Sequence, residues 1–281
     1  MSDRPGLLMI GHGSRADLGV SQYWALAEMV AELAPELRLG CGFIELAPPN
    51  LHDAIDALAS EGVSSVVAVP LVLLGAGHLK DDGPAALAAA RRRHPRVGFT
   101  YARDLGIHPL VLSVAEERVA SSLWEPVRSS DAVILVGRGS TDPDANADLY
   151  KVTRLVSESE LLPTMVEPAF VSLARPGVAE ALERCRRLGA RRVAVVPYFL
   201  FTGILVERIR AQTRAWAAEH SDVAVTVGRE MGPDARIAHL VVDRYHQARA
   251  GDARMNCDCC THRAPLLGHP RRHHHLPVAS S

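Results

Sequence analysis

The sequence is poor in aromatic residues, in lysine and in long apolar runs. Phe, Trp and Tyr make up only 5% of its 281 residues, whereas hydrophobic residues together reach 48%. A membrane-spanning helix needs about 20 consecutive apolar residues, and no run reaches that length. The net charge is −1, so no overall field attracts nucleic acid or an anionic membrane. These absences predict a globular protein with an aliphatic core, without nucleic-acid or membrane partners.

Two further scarcities concern targeting and basic residues. The first residues, MSDRPGLLMIGHGSR, lack the charged start and long apolar stretch of a signal peptide, which predicts a cytoplasmic protein. Lys80 and Lys151 are the only lysines, and every other strongly basic residue is arginine. A GC-rich genome explains this bias most simply, although arginine also suits carboxylate ligands.

The chain contains an internal repeat. Three segments recur in the same order at a spacing of 126 or 127 residues: LLMIGHGS (7–14) as VILVGRGS (133–140), GFIELAPPNLHDAIDAL (42–58) as AFVSLARPGVAEALERC (169–185), and VSSVVAVPLVLL (63–74) as ARRVAVVPYFLF (190–201). Two copies of a unit of roughly 125 residues therefore describe the chain better than one large domain.

Each unit alternates short aliphatic runs with helical patterns. Strands are predicted near 7–10, 39–45, 64–69, 97–101, 132–136, 165–170, 192–196 and 223–227. Helices are predicted near 17–34, 50–60, 78–92, 107–123, 142–157, 176–187, 203–219 and 234–248. Continuous apolar strands that alternate with helices are typical of parallel sheets. We therefore predict an α/β fold of two tandem doubly wound lobes, 1–124 and 132–249, each a four-stranded parallel sheet flanked by helices, with a cleft between them.

The last segment, 250–281, has neither the helical nor the strand periodicity of apolar residues, and we expect a flexible tail. It contains five histidines and the cysteines Cys257, Cys259 and Cys260, a Cys-x-x-Cys motif with one additional thiol. In a reducing compartment such a cluster indicates metal or redox chemistry, for example an iron–sulfur cluster. Because a four-iron cluster needs four thiols, two tails of a homodimer could share it, or a histidine could complete it. The alternative is a solvated tail without a specific metal.

Polar residues follow three strands of the first unit. His12 follows the first strand, Glu45 ends the second, and His78 begins the helix after the third. Ligands of open α/β sheets bind beyond the carboxyl ends of the strands. Two histidines and one carboxylate suit a divalent ion such as Co²⁺, Fe²⁺, Ni²⁺ or Zn²⁺. The sequence therefore predicts a metal-handling site formed by these three residues.

The second unit serves as an internal control. His12 aligns with Arg138, Glu45 with Ser172, and His78 with Leu205. All three candidate ligands are thus absent from the second unit, although the surrounding pattern is retained. Histidines kept only for packing would have less reason to be lost together. We therefore predict one working site, in the first unit.

The GHGS and GRGS turns place glycines between a strand and a helix. A phosphate-binding loop is one interpretation, but position 16 is Ala, so the G-x-G-x-x-G spacing of a dinucleotide site is absent. We expect no nucleotide. The glycines would instead permit close approach of a bulky, flat ligand to the backbone.

The motifs together resemble the CbiX/SirB family of sirohydrochlorin chelatases. The carrying segments are GHGSR (11–15), FIELAPPNLHDAI (43–55) and PLVLLGAGHLKDD (70–82). The resemblance covers residues 5–249, and the long form of the family also fuses two units. Some long members carry an M-x-C-x-x-C iron–sulfur segment and a histidine-rich end, to which MNCDCC and HPRRHHH are similar.

The resemblance implies ATP-independent insertion of Co²⁺ or Fe²⁺, as substrate, into sirohydrochlorin for cobalamin or sirohaem biosynthesis. The family's active-site histidines correspond to His12 and His78, and the acid of its FIEL segment corresponds to Glu45. Since the substrate carries many carboxylates, Arg15, Lys80, Arg138 and Arg208 are candidate substrate-binding cations. The alternatives are a chelatase for another tetrapyrrole and a metal-delivery or storage protein without catalysis.

Overall fold

The computed structural model describes residues 5–159, 162–163 and 165–251. The first half alternates strands with helices: β1 (Pro5–Gly11), α1 (Asp17–Leu33), β2 (Arg38–Phe43), α2 (Leu51–Ser60), β3 (Ser65–Pro70), α3 (Gly77–Lys80), α4 (Asp82–Arg93), β4 (Gly98–Tyr101) and α5 (Pro109–Ala120). The second half repeats the order: β5 (Asp131–Gly137), α6 (Pro143–Ser157), β6 (Met165–Phe170), α7 (Val178–Arg187), β7 (Arg192–Pro197), α8 (Ile204–Glu219), β8 (Ala224–Val227) and α9 (Ala235–Arg249).

The strands form two parallel four-stranded sheets. Their orders are β2-β1-β3-β4 and β6-β5-β7-β8, and all adjacent strands are parallel. Strand β1 is covered on both faces, because Leu7, Leu8, Met9 and Ile10 are each at most 1% exposed. Two-sided burial explains why these strands are continuous apolar runs. The predicted fold class of two tandem α/β lobes is confirmed.

Each sheet has one face covered by helices of its own half. Leu8 and Ile10 of β1 pack with Ile55 of α2 and Leu87 of α4 in one apolar cluster. In the second half, β5 and β7 pack in the same way with α7 and α8. These outer clusters are separate from each other, so each half builds one side of its own lobe.

The inner faces of both sheets share a single core. Leu7 and Met9 of β1 belong to the same cluster as Val133 and Leu135 of β5. The last helix of each half lies on the other half: α9 packs on α1 and β3, whereas α5 packs on α6 and β7. The two repeats thus exchange their last helices, and neither inner face is covered by its own half alone. None of the described helices is long and apolar enough to cross a membrane.

Two buried arginines fix the exchanged helices. Arg118 of α5 donates to the backbone carbonyls of Glu230 (3.1 Å) and Met231 (3.0 Å) in the second half. Arg244 of α9 donates to the carbonyls of Asp104 (2.7 Å) and Leu105 (2.8 Å) in the first half. A planar guanidinium presents several donors in a fixed geometry, so one side chain can satisfy two adjacent carbonyls.

The prediction of one helix over 78–92 is wrong in detail. The structure breaks it at Asp81 into α3 and α4. Pro84 explains the break, because proline has no N–H to donate to the carbonyl of Lys80, and its ring clashes with that carbonyl in a continuous helix. With the break at Asp81, Pro84 lies in the first turn of α4, where proline is tolerated. The corresponding α8 has no proline and runs unbroken for 16 residues.

Candidate functional site

The loops that follow β1 and β2 are joined by backbone hydrogen bonds. Ile44 N–H donates to the carbonyl of Gly11 (2.9 Å), and Glu45 N–H donates to the carbonyl of His12 (3.0 Å). Strand β2 ends at Phe43, so Glu45 lies in the loop two residues beyond the strand and does not end it, contrary to the prediction from the sequence. The two bonds hold residues 12 and 45 next to each other at the carboxyl edge of the first sheet.

Gly13 makes this contact possible. Its φ is +97°, and a Cβ at this position would lie 1.8 Å from the Glu45 carbonyl oxygen. A real Cβ essentially never approaches closer than 3.0 Å. The expectation that this glycine makes room for a flat ligand is therefore wrong: its space is taken by the Glu45 backbone.

The side chains of His12 and Glu45 meet at this edge. His12 Nε2 lies 3.4 Å from Glu45 Oε1, and the two side chains are 36% and 49% exposed. An imidazole beside a carboxylate can bind a divalent cation jointly, or the carboxylate can orient the imidazole and stabilise its protonated form. Partial exposure leaves the pair accessible to a ligand from solvent.

His78 lies on α3, after the neighbouring strand β3. Because the order is β2-β1-β3-β4, the chain passes from one side of β1 to the other, and the loops after β1 and β3 flank this switch point. Such points are the usual ligand sites of open α/β sheets. The side chain of His78 lies outside the described part of the structure. Among the side chains that are described, no group of three His, Cys, Asp or Glu is arranged to hold a metal.

The second lobe repeats the scaffold of this site without its chemistry. Ser172 N–H donates to the carbonyl of Arg138 (3.0 Å), and Gly139, with φ +84°, would place a Cβ 1.9 Å from the Ser172 carbonyl oxygen. The side chains at the matching positions are a guanidinium and a hydroxyl in place of an imidazole and a carboxylate. The backbone alone therefore does not define the candidate site.

The carboxyl edges of the two sheets face each other. A Cβ on Gly137 would lie 3.5 Å from Leu74 Cδ1, in the loop that leads from β3 to α3. A second contact joins α1 to the loop after β7, because a Cβ on Gly19 would lie 2.4 Å from the Thr202 carbonyl oxygen. Arg138 directly follows Gly137 and is exposed, so its guanidinium is carried at the junction that also contains the loop before His78.

The four predicted substrate-binding cations differ in their surroundings. Arg15, Arg138 and Arg208 are exposed, and within the described part of the chain none of them forms an ion pair. Lys80 is only 7% exposed, and its Nζ lies 2.7 Å from Asp142 Oδ2. The charge of Lys80 is thus compensated by the carboxylate of Asp142, whereas the three arginines are available to anionic ligands.

Comparison with known proteins identifies the family of this chain. A family model described as CbiX matches residues 6–122 and again 132–248. The chain belongs to the CbiX family. It is 35% identical over 270 residues, 95% of this chain and 87% of the relative, to a sirohydrochlorin cobaltochelatase of Priestia megaterium. It is 28% identical over 221 residues, 78% of this chain and 83% of the relative, to a sirohydrochlorin ferrochelatase of Bacillus subtilis.

Solved structures of the family show the same fold. SirB from Bacillus subtilis with Fe³⁺ superposes with a TM-score of 0.76 at 26% identity, covering 89% of this chain and 98% of that one. SirB of the same species, subspecies spizizenii, in complex with cobalt gives a TM-score of 0.75 at 26% identity, with the same coverage. Solved relatives of this fold thus include one with iron, as Fe³⁺, and one with cobalt, the two elements that the family resemblance implies.

Other histidines of this CbiX-family chain have structural partners. His94 ends α4 and lies 2.7 Å from Asp56 Oδ1, and His220 ends α8 and stacks on Trp216. His108 begins α5, where its Nδ1 accepts from the backbone of that helix. All three histidines thus cap helices, and their side-chain contacts are structural.

The two described cysteines are not suited to hold metal. Cys41 is half-buried in β2 and Cys185 is buried in α7. Burial raises the pKa of Cys41 to about 11 and that of Cys185 to about 12, so both thiols stay protonated near neutral pH. A metal-binding cysteine has to be a thiolate. The predicted iron–sulfur residues Cys257, Cys259 and Cys260 lie outside the described residues.

Sequence reasoning missed the acids on the second lobe's side of the junction. Asp142 is 2% exposed and contacts Lys80, and Asp144 Oδ2 lies 3.6 Å from the same ammonium. The segment STDPD indicates a helix start, but only alignment of Asp142 with Ala16 of the first unit would have singled it out. Its pairing with Lys80 depends on how the lobes meet, which no local pattern encodes.

Proposed function

We propose that this chain is a sirohydrochlorin chelatase, a lyase-type enzyme that inserts Co²⁺ or Fe²⁺ into sirohydrochlorin without ATP. The observation that carries the proposal is the contact of His12 with Glu45 at the switch point of the first sheet. The second lobe has the same backbone but Arg138 and Ser172 at the matching positions. The named activities of the relatives support the same chemistry.

The reaction places two demands on the site. The metal has to be held near the macrocycle, and two pyrrole N–H protons have to leave as it enters. A histidine with the ordinary pKa of about 6.5 is mostly neutral at pH 7, so it can bind metal or accept a proton. We assign His12 as ligand and general base and His78 as the second ligand. Glu45 is a further ligand or accepts the second proton.

The substrate's carboxylates require cations around the cleft. Arg138 is carried at the junction of the lobes, and Arg15 lies three residues after His12. Arg208 is exposed in the first turns of α8. A guanidinium binds a carboxylate through two parallel hydrogen bonds, which fixes orientation as well as charge. We propose that these three arginines orient the macrocycle over His12.

The site assignment is tested by replacing His12 with alanine. Loss of a general base lowers rates about 10²- to 10⁴-fold, so we expect metal insertion, followed by the absorbance change of the macrocycle, to fall by at least about 10²-fold. The matched control is His94→Ala, because His94 belongs to the same lobe and pairs with Asp56 on its surface. We expect this variant to keep its turnover.

The same assay distinguishes the rival functions. Near-normal turnover of His12→Ala would overturn the site assignment. A wild-type protein that binds Co²⁺ but does not accelerate insertion would be a delivery protein. Insertion into protoporphyrin instead of sirohydrochlorin would indicate a chelatase for another tetrapyrrole.

Three finer features stay predictions. They are an iron–sulfur cluster on Cys257, Cys259 and Cys260, a homodimer formed through the tail, and a cytoplasmic location. Iron and sulfide analysis of anaerobically purified protein tests the first, and sedimentation with and without deletion of residues 250–281 tests the second. Cell fractionation tests the third.

A further inference from the structure

The short helix that carries His78 is attached to the opposite lobe. Lys80, on the same α3, lies 2.7 Å from Asp142 Oδ2 and 3.6 Å from Asp144 Oδ2. The Lys80 and Asp142 side chains are 8% and 2% exposed. An ion pair so removed from water is screened little, and its geometry is held more firmly than that of a surface pair.

Helix α3 needs such an attachment because it cannot be stable by itself. It has four residues, whereas isolated helices shorter than about 12 residues are marginal in water. Pro84 prevents it from continuing into α4. Among the described atoms outside its own helix and chain neighbours, none lies within 4 Å of the place that a Cβ on Gly77 would take, so that end is not packed against another described element.

Asp142 is prepared to receive the ammonium. It is the N-cap of α6, where its Oδ1 accepts from Asp144 N–H (3.1 Å) and its own N–H donates to Ser140 Oγ (3.0 Å). The other carboxylate oxygen, Oδ2, is directed at Lys80. One carboxylate thus caps α6 and binds α3 of the other lobe.

The attachment exists on only one side of the pseudo-symmetric molecule. The counterpart of Asp142 is Ala16, which makes no side-chain cap, and the counterpart of Lys80 is Glu207, which pairs with Arg210 on its own helix. There the helix after the third strand is the continuous α8. The ion pair therefore occurs beside the broken helix that carries His78. The corresponding place in the second lobe has a continuous helix, Leu205 in place of His78, and no such ion pair between the corresponding residues.

We propose that the Lys80–Asp142 ion pair is an interlobe clamp that positions α3, and with it His78, for metal binding. Lys80 is a positioning residue in this proposal, not one that contacts the substrate. The proposal rests on the proposed function only in that His78 is taken as a metal ligand. It makes the second lobe, which lacks the metal ligands, responsible for part of the first lobe's metal affinity.

The first test compares Lys80→Met and Asp142→Asn with Lys151→Met, which removes the only other lysine, an exposed one. Outer-shell partners of metal ligands typically contribute 10- to 100-fold, so we expect either clamp variant to lower Co²⁺ affinity and kcat by about 10-fold or more. KM for sirohydrochlorin should stay unchanged. The exchange Lys80→Asp with Asp142→Lys should recover part of the loss, and Lys151→Met should behave as wild type.

A double-mutant cycle connects the effect to His78. In a His78→Ala background, Lys80→Met should cause little further loss of Co²⁺ affinity, because the ligand that it positions is gone. Any metal bound by the tail contributes equally to all variants and cancels in the cycle. Full additivity of the two substitutions would overturn the clamp. So would a rise in KM for Lys80→Met that Asp142→Asn does not reproduce, because a substrate-binding cation predicts that result.

The second test does not depend on activity. With only two lysines, acetylation by an N-hydroxysuccinimide ester followed by mass spectrometry reports each one separately. Lys151 is 66% exposed and should react quickly, whereas Lys80 should be protected in the wild type and become reactive in Asp142→Asn. Equal reactivity of both lysines in the wild type would overturn the clamp. A wild-type protein that protects Lys80 from acetylation but does not insert metal into sirohydrochlorin would instead contradict the proposed function.

Discussion

Replacing Gly13 by alanine should damage the candidate site, whereas the same change at Gly139 should damage only stability. Both glycines have positive φ and lie against a carbonyl oxygen of the neighbouring loop, at 1.8 Å and 1.9 Å from the position of an added Cβ. The carbonyls belong to Glu45 and Ser172 respectively. The two substitutions are therefore closely matched in steric terms and differ in what the displaced loop carries.

The magnitude follows from two contributions. A left-handed conformation costs a residue with a Cβ about 1–2 kcal/mol, and forcing extra volume into a packed contact costs about 1–3 kcal/mol. Each variant should therefore lose about 2–5 kcal/mol of unfolding free energy. To relieve the clash at Gly13, the gap has to widen from 1.8 Å to at least 3.0 Å, which moves Glu45 away from His12 by about 1.2 Å. A misplacement of about 1 Å can lower a rate about 10²-fold.

The assay is urea unfolding of both variants combined with metal-insertion rates at a temperature where both are folded. At saturating sirohydrochlorin we expect similar losses of stability, a kcat about 10²-fold lower for Gly13→Ala and a kcat near wild type for Gly139→Ala. Unchanged stability of either variant would refute the steric argument. Equal loss of rate in both would refute the assignment of the site to the first lobe.

Two further predictions concern the junction of the lobes. Burial raises the pKa of Asp104 to about 6, so the native state binds this proton more tightly than the unfolded chain does. The unfolding free energy should therefore fall by up to about 3 kcal/mol as the pH rises from about 4 to 6. In urea titrations at several pH values, Asp104→Asn should abolish this contribution. Arg118→Met and Arg244→Met should each lower unfolding free energy by about 3 kcal/mol, because each leaves two buried carbonyls without donors. Losses below about 1 kcal/mol in both arginine variants would contradict their role in fixing the exchanged helices.

The positions of the strands could be predicted from local sequence, and the proximity of His12 to Glu45 follows from the parallel arrangement of those strands. A run such as residues 66–69 is apolar at every position, which fits an element covered on two sides, and parallel strands bring their carboxyl ends to one edge. The repeat then supplied a comparison within the chain. It separated the residues that the scaffold needs, such as Gly13 and Gly139, from those that differ between the lobes.

The exchange of α5 and α9 could not be predicted in the same way. The apolar face of α9, with Ile237 and Val241, fits an aliphatic sheet, and the chain contains two sheets built from the same pattern. Only the relation between the lobes decides which one it covers. The Lys80–Asp142 pair has the same origin. The break between α3 and α4 did have a local signal, Pro84, which the helical periodicity of residues 78–92 concealed.

The exchanged helices also have a consequence for synthesis on the ribosome. The last strand of the first sheet ends at residue 101, but α9, which covers that sheet's inner face, begins only at residue 235. At about 5–20 residues per second, roughly 7–27 s pass between the translation of these two points. Throughout that interval Leu7, Met9 and Val67 lack their final cover, so the nascent first lobe is a candidate client for chaperones that bind exposed aliphatic surface.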